Sequence, residues 1–264
     1  MISLSPFRVR DLELRDVTVT ESQFDLIAVH YDDLMNGVPY HLWVNYIEGI
    51  LGRMDYHPLT VLDVACGTGN VSELLANKGY EVVGIDIAPE MIVVAKGKKG
   101  GVEYHVQDMA ELDLGGRRFD LAISLFDSLN YVTDIDQLSR GIKRVGEHLV
   151  DGGLFIFDVN TIYALSNHFF DQANLSNEHY PKYVWTSTYD HQSRICRVDM
   201  NFEVHEDGKP RQFKEVHIQR GHSLEELTQW LIDASFEVVD VFQAYRFRKP
   251  NRRSDRVFFV ARRV

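Results

Sequence analysis

The stretch Val61 to Asn70, VLDVACGTGN, runs an apolar strand containing Asp63 into a turn with Gly67 and Gly69. Such a turn exposes backbone N–H groups to a ligand because no Cβ blocks the approach. Two more carboxylates stand at comparable places: Asp86 in EVVGIDIAPEM and Asp108 in VQDM, each closing an apolar run. An acid at the first place can accept hydrogen bonds from both hydroxyls of a ribose, and one at the second can take an adenine amino group. Together they read as a nucleoside site. A dinucleotide fingerprint would put a third glycine at position 72, to let helix and strand pack closely beneath a pyrophosphate, and the chain has Ser72 there. That disfavours NAD and favours a ligand without a pyrophosphate. Further along, LFDSLNYV offers Asp127, Asn130 and Tyr131 as polar groups that could face a second substrate.

Each of these residues has a plainer explanation. Gly67 and Gly69 alone make a tight strand-to-helix turn, and Asp86 alone is an N-terminal cap for a helix beginning at Pro89. Met91 and Trp43 fit an apolar core, Cys66 a crowded turn and Cys196 a sheet interior. None of the 11 histidines has a metal-like partner one helical turn away, and His217 and His222 flank the end of a strand, where a surface or hydrogen-bonding role suffices. The cluster Arg246, Arg248, Lys249, Arg252 and Arg253 reads as a solvated loop, with an acidic or phosphorylated substrate as the lesser alternative.

The elements that must position these groups follow from periodicity. FDLIAVHYDDLM and YHLWVNYIEGILGRM read as helices, the second with Trp43, Ile47, Ile50, Leu51 and Met54 on one stripe. Strands at Thr60 to Val64, Glu81 to Ile85, Val102 to Val106, Phe119 to Leu125 and Gly153 to Asp158 alternate with helices at Asn70 to Lys78, Pro89 to Lys99 and Asp134 to Val150. Continuous apolar strands between helices predict a parallel sheet covered on both faces. The expected fold is therefore α/β, a Rossmann-like doubly wound, mostly parallel seven-stranded sheet. From about Asn160 the period changes: in CRVDMNFEV the residues Cys196, Val198, Met200, Phe202 and Val204 alternate with polar ones, HEDGKP turns, and QFKEVHIQR returns. KYVWTSTYD alternates as well, so a small antiparallel insertion is expected after the fifth strand. Helix Ser223 to Ala234, opened by a capping box of Ser223 and Glu226, then leads to strands Glu237 to Phe247 and Arg256 to Ala261. This divides the chain into a polar leader (1–22), a ligand-binding core with N-terminal helices (23–158), the insertion (159–222) and the last part of the core sheet (223–264).

A net charge of −11 spread over 264 residues repels a phosphate backbone, so nucleic acid is not expected as a partner. The first 20 residues carry charges throughout, unlike a signal peptide, and no run reaches the roughly 18 apolar residues of a membrane span. Two cysteines give no disulfide framework, so the expectation is a cytoplasmic protein with no membrane association and no metal.

In this order and spacing VLDVACGTGN, VVGIDIAPEMI, VQDMAEL and FDLAISLFDSLNYV resemble the successive motifs of class I S-adenosylmethionine-dependent methyltransferases, over about residues 24 to 158. The tail, with its insertion before HSLEELTQWLIDASFEVVDVF, resembles bacterial and archaeal small-molecule members, among them N-methyltransferases of nucleotide-linked amino sugars. One departure is Ala65 and Cys66, where many members carry a further glycine. The resemblance implies that Asp63 orients the turn and that the backbone at Ala65, Gly67 and Gly69 cradles the methionine part of S-adenosylmethionine. It further implies that Asp86 holds the ribose, Ile87 and Met91 pack on adenine, and Asp108 with the Met109 amide reads the adenine edge. Phe126 would close over the sulfonium and Tyr31 would cover the cofactor. Tyr131 stands where the amino-sugar relatives carry a histidine, which implies a role in positioning the acceptor. The expected activity is methyl transfer to N or O of a small-molecule acceptor. A cofactor-binding sensor and a nicotinamide-dependent oxidoreductase are the competing readings. The insertion, with Tyr183, Trp185 and Tyr189, is expected to roof the acceptor or to form a homodimer interface.

Overall fold

The computed structural model describes residues 18–20, 23–175 and 181–264. In chain order it contains β1 (Thr18–Thr20), α1 (Tyr31–Leu34), α2 (Tyr40–Arg53), β2 (Thr60–Val64), α3 (Asn70–Asn77), β3 (Glu81–Asp86), α4 (Pro89–Gly97), β4 (Glu103–Val106), β5 (Phe119–Ser124), α5 (Ile135–Glu147) and β6 (Leu149–Asn160). Then follow α6 (Ile162–Ser166), β7 (Gln172–Asn174), β8 (Lys182–Asp190), β9 (Ile195–Glu206), β10 (Lys209–Arg220), α7 (Leu224–Asp233), β11 (Phe236–Gln243) and β12 (Arg256–Arg263).

Seven strands form one sheet in the order β11-β12-β6-β5-β2-β3-β4. The pairs β2/β3, β2/β5, β3/β4 and β5/β6 are parallel, whereas β12 lies antiparallel to both β6 and β11. Alternate side chains of one strand enter opposite layers, as the two-residue strand period requires. Leu62 and Val64 join Leu138, Ile142 and Leu227 beneath α5 and α7, and Val61 joins Trp43, Ile47 and Leu75 beneath α2 and α3. Helix α5 starts where the Asp134 carboxylate accepts from the Gln137 N–H, and α7 opens on the full Ser223/Glu226 capping box. The doubly wound, mostly parallel seven-stranded core thus agrees with the expectation, and β12 is the one strand of this sheet that runs against the others.

The second sheet, β1-β10-β9-β8-β7, is mostly antiparallel. Cys196, Val198, Met200, Phe202 and Val204 of β9 are all buried, against Ile27, Leu165 and Phe213. Most of the leader expected over 1–22 lies outside the described residues, but within it β1 pairs parallel with β10, so residues 18–20 belong to this sheet.

The N-terminal helix expected from FDLIAVHYDDLM is largely replaced by turns, a 3-10 turn at Ala28–His30 and the single turn of α1. The cause is tertiary: Phe24 has φ 64°, and the buried Glu215 carboxylate of β10 accepts from the N–H groups of Phe24 (3.2 Å) and Ile27 (2.9 Å). The left-handed backbone at Phe24 cannot start a right-handed helix, and a carboxylate accepting two backbone donors fixes the chain in this path. The strand expected over Glu237 to Phe247 also ends sooner, at Gln243, where the chain turns through Tyr245 with φ 55°. Among the described residues no helix is long and apolar enough to cross a membrane.

Candidate functional site

The glycine turn leaves β2 with three consecutive non-helical demands. Ala65 (φ 59°), Gly67 (φ 56°) and Gly69 (φ 80°) all adopt left-handed backbone, and Gly69 caps α3. At Gly69 a Cβ would lie 2.3 Å from Tyr104 Oη, so both conformation and space demand glycine. A Cβ on Gly67 would meet nothing within 4 Å, which leaves the face of the turn open. Ala65 adopts its left-handed conformation although it is not glycine.

Beneath the turn lies Asp63, only 3% exposed, which accepts a 2.5 Å hydrogen bond from the Ser72 hydroxyl. Position 72, where a dinucleotide site would have glycine, is therefore filled by a side chain that tethers α3 to β2. Burial and the nearby charge of Asp86 push the Asp63 carboxyl up to about 7, against the pull of Ser72. Asp86 ends β3 and is held by the N–H groups of Gly67 (2.8 Å) and Ala88 (2.9 Å), one on each oxygen. Each oxygen keeps a further lone pair. Burial raises this carboxyl and the backbone donors oppose the rise. Next along the chain, Ile87 is 63% exposed, an apolar side chain on the rim of the turn. Met91 is instead buried, packed with Ala28, Ala88, Phe24 and Tyr31. Asp108, past β4, caps the following 3-10 turn through the Ala110 N–H and accepts from Gln137 Nε2 at 2.8 Å. The Met109 side chain packs towards Gly141 of α5, away from solvent.

Beyond β5 the chain makes a strained tip. Phe126 (φ 65°) and Asp127 (φ 53°) are adjacent left-handed residues, a conformation costing about 1–3 kcal/mol each in side chains other than glycine. Asp158 of β6 holds it by accepting both N–H groups, at 2.6 and 3.0 Å. Arg256, the first residue of β12, bridges Asp158 (2.8 Å) and Asp127 (2.5 Å). Burial pushes both carboxyls upward while the guanidinium opposes it. The tip turns the Phe126 ring onto Trp43, 5.1 Å away, so Trp43 serves core and site together.

Tyr31 links the two sides. It packs on Phe24 and against Met91, and its phenol is pushed up by burial first and then by Tyr40, Tyr131, Asp127 and Asp86, all of which face it. Asp32 fastens the segment over the turn by accepting from Thr68 (2.6 Å) and Asn70 (2.9 Å) and pairing with Lys98 (2.8 Å). Tyr131 is partly buried, and its hydroxyl lies 3.2 Å from His217 Nδ1. His217 is 1% exposed, not at the surface, and Nε2 lies 2.8 Å from Glu215.

The expected residues Tyr31, Asp63, Ala65, Gly67, Gly69, Asp86, Ile87, Asp108, Phe126 and Tyr131 therefore ring the C-terminal ends of β2, β3, β4 and β5, with Met91 and the Met109 side chain behind them. This is where strand order reverses on either side of β2, the usual ligand crevice of an open α/β sheet. Asp158, Glu215, His217 and Arg256 were not singled out as site residues from the sequence; only tertiary contacts bring them in. Trp185 and Tyr189 of the inserted sheet pack on its inner cluster. Among the described residues no group of three or more His, Cys, Asp or Glu could hold a metal ion.

Comparison with known proteins gives the family and the fold of the chain. Residues 61–153 match a family model described as "Methyltransferase domain". A Geobacillus sp. (strain WCH70) protein named "Putative methyltransferase" is 31% identical over 246 residues, covering 91% of this chain and 99% of its own. The Streptomyces venezuelae enzyme named dTDP-3-amino-3,4,6-trideoxy-alpha-D-glucopyranose N,N-dimethyltransferase is 25% identical over 160 residues, 60% of this chain and 67% of its own. Among solved structures, that of an S-adenosylmethionine-dependent methyltransferase from Clostridium acetobutylicum ATCC 824 superposes with a TM-score of 0.78 at 27% identity. It covers 90% of this chain and 98% of the other.

Proposed function

Because this chain belongs to the class I S-adenosylmethionine-dependent methyltransferases, we propose that it methylates N or O of a small-molecule acceptor. The observation that carries the reading is the succession of groups at the strand ends: an open glycine turn, the oriented Asp86 carboxylate, the exposed Ile87 and the Asp108 carboxylate. That set fits S-adenosylmethionine, a nucleoside with two ribose hydroxyls, a flat base and a positive charge. Asp86 would bind the ribose, Ile87 and the Met109 amide would contact adenine, and Asp108 would accept from its amino group. The backbone at Ala65, Gly67 and Gly69 would hold the methionine part, and Tyr31 with Phe126 would exclude water from the sulfonium side. Met91 supports the adenine region from behind, through Ala88.

When bound, the cofactor supplies a methyl group on a sulfonium, open to in-line displacement. The chain's own residues have to align the acceptor and keep the region dry. The site is rich in carboxylates, with Asp86, Asp127, Asp158 and Glu215 against Arg256, which suits a neutral or cationic acceptor better than an anionic one. The sugar N,N-dimethyltransferase relative supports a small molecule as the acceptor class. The test is calorimetric titration with S-adenosylhomocysteine and with NAD, repeated for Asp86→Ala. Binding of S-adenosylhomocysteine in the micromolar range, weakened roughly 10- to 100-fold in the variant as charge-assisted hydrogen bonds are lost, is expected. Failure of the nucleoside to bind, or equal binding by the variant, would sink the reading.

A further inference from the structure

We propose that Tyr131, His217 and Glu215 form a proton relay that takes up the proton lost by the acceptor's nucleophile; this rests on the small-molecule methyltransferase reading above. The direction of the relay follows from counting donors and acceptors. The Glu215 carboxylate, 0% exposed, lies 2.8 Å from His217 Nε2 and also accepts the N–H groups of Phe24 and Ile27. An ionised carboxylate only accepts, so in the neutral imidazole Nε2 carries the hydrogen and Nδ1 presents a lone pair. Nδ1 faces the Tyr131 hydroxyl at 3.2 Å, so in this tautomer the phenol is the donor. A phenol oxygen has two lone pairs. The Gln219 amide beside it donates through Nε2 to Asp127 at 2.7 Å, and the phenol's lone pairs remain for an acceptor's N–H or O–H.

Tyr131 cannot itself serve as a standing phenolate base, because burial, with Asp127 and Glu215 adding to it, pushes its phenol upward. It can pass a proton on. As the nucleophile's lone pair forms the bond to the methyl carbon, the pair of the carbon–sulfur bond stays on sulfur. The nucleophile's proton moves to Tyr131 Oη while the phenol's own proton moves to His217 Nδ1. The product is an imidazolium whose charge faces Glu215. Phe24, 4.5 Å from the imidazole and 5.1 Å from the Tyr131 ring, shields the path from water. The charged and titratable groups facing this path are Glu215 from β10, Tyr31 from α1, and Asp127 with Arg256 behind it.

Tyr131 would touch the acceptor; His217 and Glu215 act through it. The experiment uses the full chain as wild type, Tyr131→Phe and His217→Gln. S-adenosylhomocysteine release is measured with a panel of primary amines, alcohols and phenols between about pH 5 and 9. Both variants should bind S-adenosylhomocysteine as the wild type does and keep its KM for S-adenosylmethionine. Each should lose roughly 10²-fold or more in kcat, with a changed shape of kcat against pH. Variants with the wild-type kcat and pH profile would overturn the relay, and so would a wild type that binds S-adenosylhomocysteine yet turns over no member of the panel. A wild type that does not bind the nucleoside would instead remove the functional reading on which the relay stands. An acceptor-free measurement stands beside these: in protein labelled with ¹⁵N-histidine, His217 should show protonated Nε2 and bare Nδ1 at neutral pH, and the opposite tautomer would overturn the proposal.

Discussion

Replacing Asp63 with asparagine should flatten the dependence of stability on pH, by an amount that follows from the structure. The carboxyl lies at the floor of the glycine turn, fully buried, and is raised from 3.8 to about 7. In the unfolded chain it returns to its ordinary value, so the folded state holds this proton over a window where the unfolded state has lost it. The resulting stabilisation is complete below about pH 4 and disappears as pH rises through about 7. Over the whole window the difference of about three pH units corresponds to ~4 kcal/mol, and between pH 5 and pH 8 to about 2.5 kcal/mol. Asp86, Asp127 and Asp158 are raised as well, and they contribute a slope of the same sign to both proteins. Subtracting the variant from the wild type isolates Asp63. Urea unfolding at the two pH values gives the comparison directly: the wild type should lose about 2.5 kcal/mol more than Asp63→Asn on going from pH 5 to 8. Parallel behaviour of the two proteins would refute the reasoning, because it would mean that Asp63 is ionised throughout and that Ser72 outweighs burial.

At the turn itself, Gly69→Ala combines a left-handed residue with a Cβ inside contact distance of Tyr104, so it should cost ~2–5 kcal/mol by urea unfolding and abolish S-adenosylhomocysteine binding. Adding Tyr104→Phe, which removes the nearest atom, should recover part of that loss. Replacing Arg256 with methionine strands two buried carboxylates and frees the strained Phe126–Asp127 tip; thermal or urea unfolding should register a loss of about 3–5 kcal/mol. A variant within about 1 kcal/mol of the wild type would show that Asp127 and Asp158 are not held ionised by this guanidinium.

Much of the core can be read locally because its signals are local. Thr60 to Val64 is an apolar run bounded by Pro58 and a glycine turn, and it is a strand with those limits. Ser223 and Glu226 sit three positions apart and cap α7 as that spacing requires. Asp86 and Asp108 are legible as candidate site residues because the first ends β3 and the second stands two residues past β4, so the strand's direction alone delivers the carboxylate to the crevice. Where the local pattern misleads, a distant group has intervened: residues 24–35 have a helical pattern, and Glu215 binds the N–H groups of Phe24 and Ile27 while Phe24 takes a left-handed backbone that a helix cannot begin with.

By itself, then, the sequence determined the doubly wound core, the antiparallel insertion, the glycine turn and the carboxylates at the strand ends, since each depends on residues within one element or its adjoining turn. Tertiary structure alone decided what supports that crevice. Tyr131 meets His217 across 86 positions, and Arg256 meets Asp158 across 98 and Asp127 across 129. No periodicity spans such distances. These partners meet because β12 pairs with β6, β6 with β5, and the returning β10 packs over the end of β5, and strand order is fixed by the packing of the whole sheet rather than by any segment of it.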